Sequence, residues 1–259
     1  MTAAFPWQLP REYPAHSRAG GGPVISLVGV IVPAHNEEAL LGVCLDSIDR
    51  AVSRFDLPTL IVVVLDSCTD NTAAVVAARP RVRAVNVAVH NVGRARARGF
   101  QAILRWTKGV DLGSLWFATT DADGTVPEQW LAFQVDQANR GVEVVLGTVR
   151  VNDWGERPPQ LARRFAAQYG GGDEHAHVHG ANLGISAAAY LAAGGWPPLA
   201  TAEDHALARL VDQRRVLRTA AIPVTTSSRS DSRAPRGFAG YLDSLDRTED
   251  PLETGAEPG

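Results

Sequence analysis

Two stretches of this chain are apolar almost without interruption, Val24–Val32 and Leu60–Leu65. Both are rich in β-branched residues and neither alternates between apolar and polar side chains. A strand of that kind has to be buried on both faces, which is the situation inside a parallel sheet covered by helices. Between them, Ala39–Phe55 carries Leu40, Leu41, Cys44, Leu45 and Ile48 at helical spacing. The pattern then repeats: a helix from Ala73 to Arg79 closed by Pro80, a strand at Val82–Val89, and a helix opening at His90–Gly99 and running to Trp106. A strand at Leu115–Thr119, a helix at Gln129–Asn139 and a strand at Val142–Val149 follow. Strands alternating with helices over short crossovers predict a right-handed, mostly parallel, Rossmann-like α/β sheet flanked by helices.

The second half reads as a smaller, looser part. It offers a helix at Gln160–Tyr169, a glycine hinge at Gly170–Gly172, alternating His175, His177 and His179, and a helix at Ala187–Ala193. A helix from Thr201 through Arg215 and a last strand at Val216–Val224 complete it. The expected organisation is an irregular arm over residues 1–23, one domain over 24–226 split into halves at 24–126 and 127–226, and a polar tail over 227–259 whose last ten residues are disordered. Pro33 is expected to end the first strand, Asn36 to cap the next helix with Glu37 and Glu38 in its first turn, and Asp70 to cap the helix after the second strand.

Bulk properties narrow the function mostly by exclusion. A net charge of −3 over 259 residues offers no general attraction to nucleic acid. Cys44 and Cys68 are the only cysteines, so no disulfide framework is readable and a cytoplasmic location is the expectation. No apolar run approaches the ~18–20 residues of a membrane span, which leaves peripheral membrane contact open.

In parallel α/β sheets ligands bind at the carboxyl ends of the strands. Polar residues collect there: Asn36 and Glu37 after the first strand, Asp66 after the second, Arg94 after the third, Asp121 and Asp123 after the fourth. Two carboxylates two residues apart at a strand end suit a hard divalent cation such as Mg²⁺ or Mn²⁺, and with it a diphosphate. Each also has a plainer reading. Asp121 and Asp123 could cap a turn, and Arg94 and Arg98 could form a solvated helix face, with Arg96 pointing elsewhere. The three histidines suit a surface or acceptor loop better than zinc, His179 being the best placed beside Gly180.

The ordered set Val32–Glu38, Leu65–Thr72, Asn91–Ala95, Asp121–Asp123, Gly180–Ser186 and Glu203–Asp204 resembles an inverting-type family 2 glycosyltransferase of the GT-A fold, over about Val24 to Arg215. The resemblance implies a hexosyltransferase-type enzyme using a nucleoside-diphosphate sugar and an unidentified hydroxyl acceptor. It implies that Pro33, Ala34, Asn36, Glu37, Asp66, Arg94 and Asp121 bind the nucleotide. Asp123 and Asp121 would hold the cation, while His205, beside Asp204, could be a third ligand, a diphosphate contact or a plain surface residue. Asp204 would be the general base, and His179, Gly180, Asn182 and Glu203 would line the acceptor side. The chain departs from the family pattern at Leu65, where an acid is usual, at Cys68, and after Glu203-Asp204, where Leu207 is followed by Arg209. It lacks the Gln-x-x-Arg-Trp signature of processive members, which points to single transfers. The alternatives are an inactive nucleotide-sugar-binding protein and a nucleotidyltransferase, the latter needing a Gly-rich basic loop that Pro33–Glu38 does not supply.

Overall fold

The computed structural model describes residues 24–155, 157–169, 172–173, 175–197, 199, 202–229 and 238–246. Its first half runs β1 (Leu27–Ala34), α1 (Leu41–Ser53), β2 (Thr59–Asp66), α2 (Thr72–Ala77), β3 (Val82–Val87), α3 (Val92–Trp106) and β4 (Leu115–Thr119). Its second half runs α4 (Trp130–Asn139), β5 (Val144–Val151), α5 (Pro159–Gln168), β6 (Leu183–Ser186), α6 (Ala187–Ala192), α7 (Glu203–Leu210), β7 (Val216–Thr226) and α8 (Phe238–Asp246). The strands form one seven-stranded sheet in the order β3-β2-β1-β4-β6-β5-β7. Every pairing is parallel except the two made by β6.

All of β1 is buried, because its alternate side chains enter two cores. Val28, Val30 and Val32 join the core that contains Leu41, Leu45 and Ile48 of α1 and Trp130 of α4. Leu27 and Ile31 join the core that contains Phe100 and Ile103 of α3 and Leu207 of α7. A third, smaller cluster brings Leu161 and Phe165 of α5 against Leu242 and Leu245 of α8.

Four expectations change. Pro33 does not end the first strand; it lies inside β1, opposite Val64. The Thr120 N–H donates to the Ile31 carbonyl, so odd-numbered residues of β1 turn their backbone groups towards β4. Pairing with β4 stops at Ile31, and the missing N–H of Pro33 therefore falls where no ladder bond is needed. β6 was not expected as a strand. It is only four residues long and contains Gly184, too short for periodicity to register. The helix expected through Arg215 ends at Leu210, because Val211 is extended and the Asp212 carboxylate accepts the Arg214 N–H to start a separate turn. Part of the polar tail is helical: Phe238, Leu242 and Leu245 make an i, i+4, i+7 stripe that packs on α5. The arm over residues 1–23 and the last ten residues lie outside the described residues. Among the described residues no helix is long and apolar enough to cross a membrane.

Candidate active site

The loops after β1, β2 and β3 are stitched to one another at the carboxyl edge of the sheet. Asn36, Ser67 and His90 each take a left-handed φ, of 55°, 55° and 47°. Such backbone costs about 1–3 kcal/mol per residue and needs surroundings that hold it. The Asn36 carboxamide oxygen accepts the Thr69 N–H at 2.7 Å, and Ser67 Oγ lies 3.2 Å from His90 Nε2. Asn36 is therefore not the helix cap; α1 starts at Leu41, and Leu40 in the capping position makes no side-chain bond. Asp70 lies one residue ahead of the cap position of α2, held by Asn71, yet its carboxylate does accept the Thr72 N–H.

Asp66 organises this rim. Its carboxylate accepts N–H bonds from Val89, His90 and Asn91 at 2.8, 3.1 and 3.1 Å. Burial by itself would raise its pKa, but these donors and Ser67 outweigh it and hold the carboxyl below its ordinary range. Pro33 and Ala34 are buried beneath the rim, and the Ala34 carbonyl accepts the Cys68 thiol at 3.4 Å.

Beside the rim lies a cluster of acids met by two arginines. Asp121 and Asp123 follow β4. Arg229, just past β7, bridges Glu37 at 2.5 and 2.8 Å and Asp123 at 3.2 Å. Burial raises the Asp123 carboxyl to about 6, helped by the negative charges of Asp121 and Glu37 and opposed by Arg229. Arg96 reaches Asp121 at 2.5 Å with one nitrogen and Glu203 at 3.0 Å with another. Glu203 titrates above its ordinary range, because burial outweighs the nearby guanidinium.

Glu203 opens α7, and Asp204 follows it. One Asp204 oxygen accepts the Gly180 N–H at 2.9 Å and the other accepts the His205 N–H at 2.8 Å. His179 Nε2 lies 2.7 Å from the Tyr169 hydroxyl. Burial depresses His179 to about 4, and the negative Asp204 only partly offsets this. His175, His177 and His179 stack in series, with Tyr169 stacked on His177 at 4.0 Å.

Three expected residues are placed differently from the expectation. Arg94 is exposed and, with Val89, Arg98, Tyr190 and Trp196, lines a groove of about 690 Å³ beside α3 rather than joining the acid cluster through a side-chain pair. Two residues turn a helix by about 200°, so it is Arg96 that points inward. His205 is likewise about 200° around α7 from the inward-facing Glu203, and it does not join Asp121 and Asp123. Among the described residues, no three His, Cys, Asp or Glu side chains are gathered to hold a metal ion. Asn182, expected on the acceptor side, is buried. Its carboxamide accepts from Trp130 Nε1 at 2.9 Å and donates to the Thr148 and Ile222 carbonyls at 2.9 and 2.7 Å.

One residue of the cluster, Arg96, was not expected there. Arg96 had a signal: Arg96, Gly99, Phe100 and Ile103 form the buried stripe of α3. An arginine on an apolar stripe needs partners inside the protein. The sequence offers Arg229, with Arg233 and Arg236, as either an arm closing over phosphates or a solvated tail; its pairing with Glu37, 192 positions away, is visible only in the fold.

A mostly parallel sheet with acids at its carboxyl edge is the architecture of the GT-A class. The chain belongs to glycosyl transferase family 2, whose model matches residues 29–191. The match takes in Glu37, Asp66, Asp121 and Asp123 and stops short of Glu203 and Asp204. A search of curated proteins found no match. Solved structures of similar fold include S. aureus TarS 1–349 in complex with UDP-GlcNAc, at TM-score 0.57 and 16% identity over 82% of this chain and 61% of that one. They also include the mannosyltransferase PcManGT from Pyrobaculum calidifontis in complex with GDP-Man and Mn²⁺, at TM-score 0.54 and 21% identity over 87% and 66%. A third is glucosyl-3-phosphoglycerate synthase from Mycobacterium tuberculosis in complex with Mn²⁺, UDP and glucosyl-3-phosphoglycerate, at TM-score 0.52 and 17% identity over 94% and 88%. The chain thus spans about three fifths of the TarS fragment it resembles.

Proposed function

We propose that this chain transfers a sugar from a nucleoside-diphosphate sugar to an acceptor hydroxyl, dependent on a divalent cation, with inversion at the anomeric carbon and one transfer per encounter. The observation that carries this is the acid pair after β4, facing Glu37, with the Arg229 guanidinium drawn onto it. Burial and mutual repulsion make this a place that favours positive charge, as the raised Asp123 carboxyl reflects.

The donor set fits Mg²⁺ or Mn²⁺. Such ions commonly take one or two carboxylates and complete their shell with substrate phosphate oxygens and water. Asp123 and Asp121 would hold the ion, and no third side chain is required. When bound, it supplies Lewis-acid neutralisation of the diphosphate leaving group. The loops at Asn36, Asp66 and His90 shape the nucleotide side. Asp204 would take the proton from the attacking hydroxyl, and two backbone N–H donors fix its orientation. The likeness of Glu203-Asp204 to the base motif of inverting members supports inversion. The missing Gln-x-x-Arg-Trp signature supports single transfers.

A thermal-shift screen of UDP- and GDP-sugars with Mn²⁺ tests this, because a ligand of the native state raises Tm. A hit should disappear in Asp123→Ala, and Asp204→Asn should bind the donor and fail to transfer the sugar. The proposal falls if no nucleotide sugar stabilises the protein, or if Asp204→Asn transfers at the wild-type rate.

A further inference from the structure

Arg96 is 3% exposed, so its charge lies in the interior, where an uncompensated ion is costly. Its compensation comes from two carboxylates distant in the chain. One guanidinium nitrogen is 2.5 Å from Asp121, 25 positions away, and another is 3.0 Å from Glu203, 107 positions away. Its face lies over the Trp196 ring, 5.4 Å from the centroid.

The backbone is shaped around this bridge. A β-carbon at Gly93 would come within 2.6 Å of Glu203 Cγ, and one at Gly180 within 2.5 Å of Arg96 Cζ. Either approach is too close for any other residue without displacement. Gly180 also gives its N–H to Asp204. The glycine that leaves room for Arg96 thus pins the carboxylate one residue beyond Arg96's partner.

We propose that Arg96 is a positioning residue that locks the cation-side carboxylate Asp121 to the start of α7, and through Glu203 sets where Asp204 stands. This rests on the roles given to Asp121 and Asp204 above. Asp121 is gripped by Arg96, while its side chain remains 36% exposed. The two aspartates after β4 therefore differ: Asp121 has a fixed orientation and a partly balanced charge, whereas Asp123 meets Arg229 instead. The same grip offsets part of the Asp121 charge, so Arg96 opposes a cation at that carboxylate in the measure that Glu203 does not draw it away.

One bridge loaded from two ends has a signature that loss of packing does not. Arg96→Gln removes a cation from Asp121 and should tighten binding of Mn²⁺ alone by about fivefold, read by electron paramagnetic resonance of the free ion at pH 7.5. Glu203→Gln leaves Arg96 to act on Asp121 undivided and should weaken Mn²⁺ binding by a similar factor. Arg96→Lys, which keeps the charge but not the fork, should lie between wild type and Arg96→Gln. General loosening of the fold would weaken binding in all three. If Arg96→Gln does not fold, the opposed shifts of Glu203→Gln and Arg96→Lys carry the test. Folded variants that keep wild-type affinity, or that all shift downward, overturn the proposal alone. A wild-type protein that binds no Mn²⁺, with or without UDP or GDP, overturns the metal assignment and this proposal with it.

Discussion

Arg229 meets the Glu37 carboxylate through two nitrogens, at 2.8 and 2.5 Å. The contact joins the segment after the last strand to the loop after the first, across the carboxyl edge of the sheet. The same guanidinium is 3.2 Å from Asp123. Arg157 donates to the Ser228 and Arg229 carbonyls and pairs with Asp243 of α8, so the segment is clamped from behind. Arg229 therefore competes with any cation for Asp123. Arg229→Gln should bind Mn²⁺ alone about threefold to tenfold more tightly at pH 8, measured by calorimetry. Unaltered or weaker binding would show that the guanidinium does not compete for the site.

His179 predicts how stability depends on pH. Burial lowers its pKa to about 4, and the negative Asp204, which favours the charged ring, only partly offsets this. Between that value and the ordinary 6.5 the unfolded chain binds a proton that the folded protein does not, so this group destabilises the fold as pH falls through that window. Asp123 acts in the opposite sense, since its carboxyl is raised to about 6. The difference between wild type and His179→Gln isolates the histidine. On going from pH 7 to pH 4.5, wild type should lose on the order of 2 kcal/mol more than the variant, followed by urea denaturation.

Asn182 should behave as part of the interior. Asn182→Ala strands the Trp130 indole N–H and the Thr148 and Ile222 carbonyls. A loss of about 2–4 kcal/mol of unfolding free energy is expected from chemical denaturation. Well below the midpoint, affinity for a nucleotide sugar should be unaltered; a direct loss of affinity in the folded variant would return Asn182 to the binding site.

Gly180→Ala tests the space reserved for Arg96. The added β-carbon, 2.5 Å from Cζ, should cost about 1–3 kcal/mol through forced movement. Gly172→Ala meets open space and serves as the control, with an expected change within about 0.5 kcal/mol. Equal melting temperatures for the two variants would mean that the guanidinium has room to move aside.

The alternation of strands and helices was legible because it is written in local hydrophobic periodicity. Leu115–Thr119 is a strand over the residues expected, and the paired carboxylates follow it as expected. Where local pattern was too short, as in Leu183–Ser186, the element was missed. Where a local rule met an exception, as at Pro33, pairing with neighbouring strands decided the outcome. Arg94 and Arg96 show the same division. Spacing correctly separated their helix faces, but which face turns inward depends on what packs against α3.

By itself the sequence determined the class of sheet, the edge at which polar loops collect, and the presence there of Glu37, Asp66, Asp121 and Asp123. Burial of an apolar run is dictated by neighbours a few residues away, so it can be read along the chain. Only the tertiary structure decided which charges meet. Arg96 joins Asp121 to Glu203, Arg229 joins Glu37 to Asp123, and Gly180 seats Asp204. Those contacts cross as many as 192 positions. Charge pairing acts through space over a few ångströms, and separation along the chain carries no record of it.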